Sequence, residues 1–295
     1  MTSTDNIDSP RGLAFAISSY FLWGFLPLYL KLVSHLPAVE VVAHRVIWSV
    51  PVALVVLILL RRTKDLREAL RNPRMLAMGC VTAALISVNW GIYVWAISVD
   101  RTVDAALGYY INPLFSVLMG AVLLGERPNR MQLLAISLAA LAVLILFVAA
   151  PRPPWIPIGL MVSWGFYAYF KKSLPIGPNQ GFMLEVLILS VPSMLYLIWL
   201  GPQGQFLNGG YDSLVLMGCG LVTAVPLLIY ANGAKLLRLS TTAILQYIAP
   251  TMIFLVAVFA FGETVDPARM VAFPLIWAAL VIYSVPLVRQ MRRAA

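Results

Sequence analysis

The sequence predicts an all-helical integral membrane protein of ten transmembrane helices, arranged as two inverted five-helix repeats. Composition, a series of long apolar runs and an internal duplication predict it. Of 295 residues, 61% are hydrophobic and 11% charged, and the mean hydropathy is +0.88. That leaves too little polar surface for a water-soluble domain. Ten runs approach the ~20 residues a helix needs to cross the hydrocarbon core: 12–33, 38–60, 75–98, 103–124, 130–150, 155–171, 179–200, 213–234, 240–261 and 268–288. They are apolar on every face, whereas barrel strands alternate apolar and polar side chains.

The duplication is read by sliding the chain along itself. A shift of 137 places Tyr93 on Tyr230, Arg101 on Arg238, Tyr110 on Tyr247, Pro113 on Pro250 and Gly125-Glu126 on Gly262-Glu263. A shift of 141 places Trp23-Gly24-Phe25 on Trp164-Gly165-Phe166, Lys31 on Lys172 and Ser49-Val50-Pro51 on Ser190-Val191-Pro192. Residues 1–150 therefore recur as 151–295. With the N-terminus inside, sixteen of the 21 cations fall on the cytoplasmic side. This positive-inside bias puts both termini in the cytoplasm and makes the net charge of +9 a matter of topology rather than of nucleic acid. Five helices per repeat is an odd number, so the repeats are inverted. The first ten residues lack the pattern of a cleavable signal, so the first helix is expected to stay. Cys80 and Cys219 fall near opposite faces, too far apart for a disulfide.

In the first helix, Trp23-Gly24 reads as close packing. In the second, Glu40 lies near the outer end and His44-Arg45 lies deeper. An ionisable residue at membrane depth is a functional candidate, and Arg45 reads either as such or as a clamp paired with Glu40. Residues 61–74 suit a cytoplasmic loop with a short interfacial helix. The third helix carries small residues at a stride of four, Gly79, Ala83, Ser87 and Gly91, with Asn89, Trp90 and Tyr93 as its polar and aromatic side. The fourth aligns Gly108, Asn112, Ser116 and Gly120, flanked by Tyr109 and Tyr110. Pro113 and Pro250 each remove a backbone donor, and paired breaks in inverted halves point to a central site. Gly125-Glu126 and Gly262-Glu263 read as a helix stop followed by a cap for the next helix. The Pro-rich stretch 151–154 is a stiff junction. In the sixth helix Trp164 and Tyr167 share a face that lines a cavity or packs. In the seventh, Glu185 has no cation near it in sequence and reads as a pathway or proton-coupling group. Tyr230 and Asn232 lie in the eighth, and Gln246 and Tyr247 in the ninth. The tenth, with Pro274, Trp277 and Pro286, reads as scaffold.

His44-Arg45-Val46-Ile47-Trp48-Ser49, Asn89-Trp90, Leu107-Gly108-Tyr109, Ile111-Asn112-Pro113, Leu124-Gly125-Glu126-Arg127, Leu237-Arg238-Leu239-Ser240-Thr241, Gln246-Tyr247-Ile248 and Pro250-Thr251 carry a family resemblance over about 12–289. By these strings the chain resembles the EamA branch of the drug/metabolite transporter superfamily and, within it, the RarD-like permeases. The resemblance implies a bacterial inner-membrane carrier, an exporter of small metabolites, with its cavity between the halves.

The expected function is secondary transport by alternating access. Trp90, Tyr93, Tyr109, Tyr110, Trp164, Tyr167, Tyr230 and Tyr247 are expected to supply aromatic walls, and Asn112, Asn232 and Gln246 polar contacts. His44, Arg45 and Glu185 are expected to recognise charge or carry a proton. An aromatic amino-acid exporter and a proton-coupled drug permease are alternatives of the same fold. A membrane-embedded enzyme is disfavoured, because two histidines and no His-Glu-x-x-His or paired-Asp pattern offer no metal site. A structural or signalling role would leave the duplication and its matched helix breaks without a purpose. No cofactor or metal is expected. The expected partners are a small-molecule substrate and membrane lipids, with no nucleic acid, and the expected unit is a monomer.

Overall fold

A computed structural model describes residues 9–123, 130–149, 153–173, 175–206, 210–234, 236–237 and 245–294. Among them the chain is helical, with no strand. The helices are α1 (Pro10–Lys31), α2 (Ala38–Leu59), α3 (Thr63–Arg71), α4 (Pro73–Ser98), α5 (Thr102–Leu123), α6 (Arg130–Ala149), α7 (Trp155–Ser173), α8 (Pro178–Leu200), α9 (Gly210–Ala234), α10 (Ile248–Leu255) and α11 (Pro267–Ala294). Seven are long and apolar enough to cross a membrane, namely α1, α2, α4, α6, α8, α9 and α11. α5 and α7, of 22 and 19 residues, and the shorter α10 stand where three further spans are expected. Leu59, Trp199 and Phe259 are among many large apolar side chains left outside. Such a surface requires lipid, and the protein is an integral membrane protein.

Local chemistry explains several boundaries. Pro73 sits at the first position of α4, where its missing N–H is not needed, and the side chain of Asn72 accepts from the N–H of Arg74 and Met75 at 3.0 and 3.2 Å. The polar segment 61–74 contains the expected short helix, α3. It turns Leu66 and Ala69 inward and is tied to α8 by Gln180 Nε2 donating to Asp65 at 2.8 Å.

Two expectations fail here. α5 runs unbroken through Pro113, whereas Gln246 and Tyr247 are turn residues ahead of α10. Proline strains the carbonyl four residues before it. For Pro250 that carbonyl belongs to Gln246, where the chain opens, so only one of the two expected breaks is present. Beyond Leu255 the helix widens into a π turn over Val256–Ala260 and stops at Gly262, whose φ of 68° favours glycine.

The second correction concerns Glu263. It does not cap the helix that follows, because Asp266 already does, accepting from Arg269 N at 2.8 Å. Glu263 instead receives the N–H groups of Thr102 and Val103 at 2.7 and 2.9 Å and caps α5. Around it, Asp104 pairs with Arg101 and Arg269 at 2.6 and 2.8 Å, and Lys31 pairs with Asp100. Polar side chains thus fasten the ends of α1, α4, α5 and α11 together. Gly125-Glu126 lies outside the described residues, as does part of the 240–261 span.

Helices from the first 150 residues pack mainly against those that follow. α2 lies against α8 and α9, α1 against α9 and α10, α4 against α7 and α8, α5 against α7 and α10, and α6 against α11. Glycine permits the tightest approaches: a Cβ on Gly24 would strike Met252, one on Gly165 would strike Phe115, and one on Gly220 would strike the backbone of Trp48. The expected stripe on the third membrane helix, α4, is in contact at Gly79, which faces Leu184, but Gly91 meets nothing within 4 Å. The buried face of α4 turns instead through Ala83, Ile86, Asn89, Trp90 and Tyr93.

Candidate functional site

The helix opening at Gln246–Tyr247 borders a cavity of about 100 Å³ at the centre of the bundle. α1 contributes Tyr20, Trp23 and Leu26, α2 contributes Arg45, α4 contributes Asn89, Trp90 and Tyr93, and α5 contributes Tyr109 and Asn112. Trp164 comes from α7, Thr223 and Leu227 from α9, and Gln246, Ala249, Pro250 and Ile253 from the opened segment and α10. Irregular backbone at membrane depth is tolerated where it lines a cavity, and this break does so.

Side-chain contacts hold the aromatic wall in place. Tyr93 meets Tyr109 edge-on at 5.6 Å, and Tyr109 meets Trp164 at 6.2 Å and 88°. Asn89 fixes this group. Its amide donates to Leu160 O and Ser163 Oγ at 3.2 and 3.0 Å, and its carbonyl accepts from the Tyr109 hydroxyl at 2.9 Å. On the opposite side Trp23 packs with Tyr20 and Tyr230 at 5.6 and 5.4 Å.

Arg45 is the one charged side chain on the cavity wall among the described residues. It is 2% exposed. Its Nε donates to Thr223 Oγ1 at 3.0 Å, and its guanidinium lies 5.0 Å from the Trp90 ring centroid. The expected clamp with Glu40 is absent, since Glu40 accepts instead from Gln205 N at 2.8 Å. Among the described residues, Arg45 Nη1 and the Tyr93 hydroxyl are buried without a protein partner.

Of the residues singled out from sequence, Arg45, Trp90, Tyr93, Tyr109, Asn112, Trp164, Gln246 and Pro250 meet at this cavity. The remaining residues expected to form the site, Tyr110, Tyr167, Tyr230, Asn232, Tyr247, His44, Glu185 and Pro113, lie outside its lining. Successive helix residues diverge by about 100°, so Tyr109 and Tyr110 cannot share a face. Tyr110 points the other way, donating to Thr251 Oγ1 at 2.8 Å and packing on Phe273. Tyr247 joins the apolar cluster between α6 and α11. Tyr230 stands behind Tyr20 and Trp23, and Asn232 donates to its own helix at Leu228 O, 2.7 Å. His44 stacks on Phe206 at 4.7 Å under the α8–α9 connection. Pro113 is buried within α5. Tyr167 is one turn along α7 from Trp164 and donates to Glu185 at 3.2 Å.

Glu185 is not isolated in the fold. Its expected role rested on the lack of a nearby cation, but the fold brings Lys171 Nζ to 2.6 Å. The carboxylate is one half of a buried ion pair. Sequence reasoning passed over Tyr20 and Thr223, placed Asn89 on the polar and aromatic side of its helix without counting it in the wall, and assigned Trp23 to packing. The signal available for Asn89 was its i,i+4 spacing from Tyr93. Nothing local marked Thr223.

The comparisons agree with this architecture. Residues 10–148 match the EamA-like transporter family. "Protein RarD" of Streptomyces exfoliatus is 42% identical over 286 residues, covering 96% of this chain and 91% of that one. "Protein RarD" of Escherichia coli (strain K12) is 36% identical over 288 residues, covering 97% of each. An "Uncharacterized transporter" of Vibrio cholerae is 39% identical over 284 residues, covering 95% and 94%. A solved crystal structure with 19% identity superposes with a TM-score of 0.66, covering 95% of this chain and 99% of that one, which speaks for the fold alone. With near-full-length relatives well above 30% identity, the chain belongs to the EamA-like transporter family as a RarD-like permease, and it is a membrane transporter.

Proposed function

We propose that the protein is a secondary carrier that exports small metabolites across the bacterial inner membrane by alternating access, with ten spans, two inverted repeats and both termini in the cytoplasm. The observation that carries this reading is the aromatic cavity at the centre of the bundle, beside the helix opening at Gln246–Tyr247. Pockets of this make-up hold a flat or amphipathic solute by stacking and fix its orientation with a few polar groups.

The helix contacts support the repeat. If α1, α2, α4, α5 and α6 correspond to α7, α8, α9, α10 and α11, exchanging the halves turns α1–α9 into α7–α4, α5–α7 into α10–α1 and α2–α9 into α8–α4, and all of these occur. The exchange extends to residues: Gly24 on Met252 becomes Gly165 on Phe115 under the same shifts of 141 and 137. Two interlocked units related in this way can rock about a fixed central site.

Counterflow in proteoliposomes tests the reading, using labelled amino acids and small aromatic metabolites. Saturable exchange of a compound, lost in Trp90→Ala with Trp164→Ala while the protein remains folded, is the expected result. Conversion of the solute to a covalent product would instead favour an enzyme.

A further inference from the structure

We infer that the solute taken by the central cavity is a small organic anion whose carboxylate docks between Arg45 and Tyr93, with its apolar body against Trp90, Tyr109 and Trp164. The inference rests on the carrier reading above and specifies the charge of what is carried.

The argument begins with what is missing around Arg45. A guanidinium at membrane depth is costly unless paired. This one is 2% exposed, and among the described residues no carboxylate pairs with it. Thr223 takes one of its donors, and the Trp90 face lies against the group, yet Nη1 has no partner among the described residues. The hydroxyl of Tyr93, a residue of the same cavity lining, is likewise buried with no partner among the described residues. Two unmatched donors on side chains that line one small cavity call for an acceptor, and the two oxygens of a carboxylate match them in number and in charge.

The sign of the charge follows from the rest of the lining. Among the described residues no Asp or Glu lines the cavity, and the three buried acids are engaged elsewhere: Glu185 by Lys171 and Tyr167, Glu40 by Gln205 N, and Asp104 by Arg101 and Arg269. An ammonium placed here would meet Arg45 without a counter-charge, and cation–π attraction from the rings would have to overcome that repulsion. The volume of about 100 Å³ is below the ~300–1,000 Å³ of pockets for drug-sized molecules. The geometry therefore points to a compact monoanion with one aromatic or branched apolar group, and away from cationic drugs.

Three near-isosteric probes decide it: phenylacetate, phenylacetamide and phenethylamine, each assayed for binding to purified protein by quenching of tryptophan fluorescence and for counterflow in proteoliposomes. Phenylacetate should bind about tenfold or more tightly than either of the others. Arg45→Gln should remove that preference, and Arg45→Lys should retain part of it. The wild-type comparison stands even if an Arg45 variant fails to fold. Equal or tighter binding of the amide or the amine overturns the inference, as does a preference that survives Arg45→Gln, and so does failure of folded wild-type protein to bind any of the three. Carboxylate-selective binding without exchange would support the anion site and count against the carrier reading alone.

Discussion

Glu263 offers the sharpest test of how the helix ends are held. Its carboxylate receives two N–H groups from the first turn of α5, at 2.7 and 2.9 Å, across about 160 positions of chain. Hydrogen bonds to a charged acceptor contribute about 1.5–3 kcal/mol each, and a lost cap costs about 0.5–2 kcal/mol. Because this carboxylate is only half-buried, the lower part of those ranges applies, and Glu263→Ala should cost ~2–4 kcal/mol. For a chain of this length each kcal/mol moves Tm by about 2 °C, so Tm should fall by ~4–8 °C. Glu263→Gln keeps an acceptor but loses the charge that complements the positive end of α5, and should lose about half as much. The assay is thermal unfolding in detergent followed by tryptophan fluorescence, with all variants at one scan rate because such unfolding is commonly irreversible. A Glu263→Ala protein melting within about 1 °C of wild type would refute the cap and its assignment to α5.

The glycine contacts predict opposite outcomes at two positions. Gly220→Ala should destabilise by about 1–3 kcal/mol, because its Cβ would meet the backbone of Trp48 and force α2 from α9, whereas Gly91→Ala, with open space around it, should be neutral or stabilising by up to about 1 kcal/mol. Both are read from Tm. Lys171→Met should cost about 3–5 kcal/mol by leaving Glu185 uncompensated, and adding Glu185→Leu should recover much of it. Glu185→Gln should lower Tm while leaving the pH profile of exchange unchanged if the residue serves only in the ion pair; a flattened profile would assign it the proton-carrying role. Tyr93→Phe removes a buried hydroxyl that has no protein partner, so Tm should hold or rise slightly while solute affinity falls about fivefold or more.

The membrane class and most helix positions were legible because they depend on composition and run length, which are properties of the sequence. So were many of the wall residues, where a helix face repeats at the right spacing, as with Trp90 and Tyr93 or Tyr109 and Asn112. What was not legible depended on partners distant in the chain. Glu263 reads as a cap for its neighbour until α11 is seen to hold Asp266 there. Glu185 reads as an isolated acid until α7 delivers Lys171, 14 positions away in sequence. The two prolines read alike, yet α5 absorbs Pro113 and the chain before α10 does not absorb Pro250.

Under the proposed repeat, the same comparison explains why a single charged side chain, Arg45, lines the cavity among the described residues. Arg45 and Thr223 meet across α2 and α9. The shifts of 141 and 137 carry that pair to Val186 and Ile86, two buried residues of one apolar cluster. Gln246 corresponds to Tyr109 in the same way, which replaces an amide by a phenol on the opposing wall. The duplicated skeleton therefore encloses a space of approximately two-fold shape but one-sided chemistry. A solute with one charged end can bind in only one orientation in such a space. In the proposed alternating access that orientation would be preserved while the cavity changes the side on which it opens, so the polar departures from the repeat would select the solute and the repeat would supply the movement.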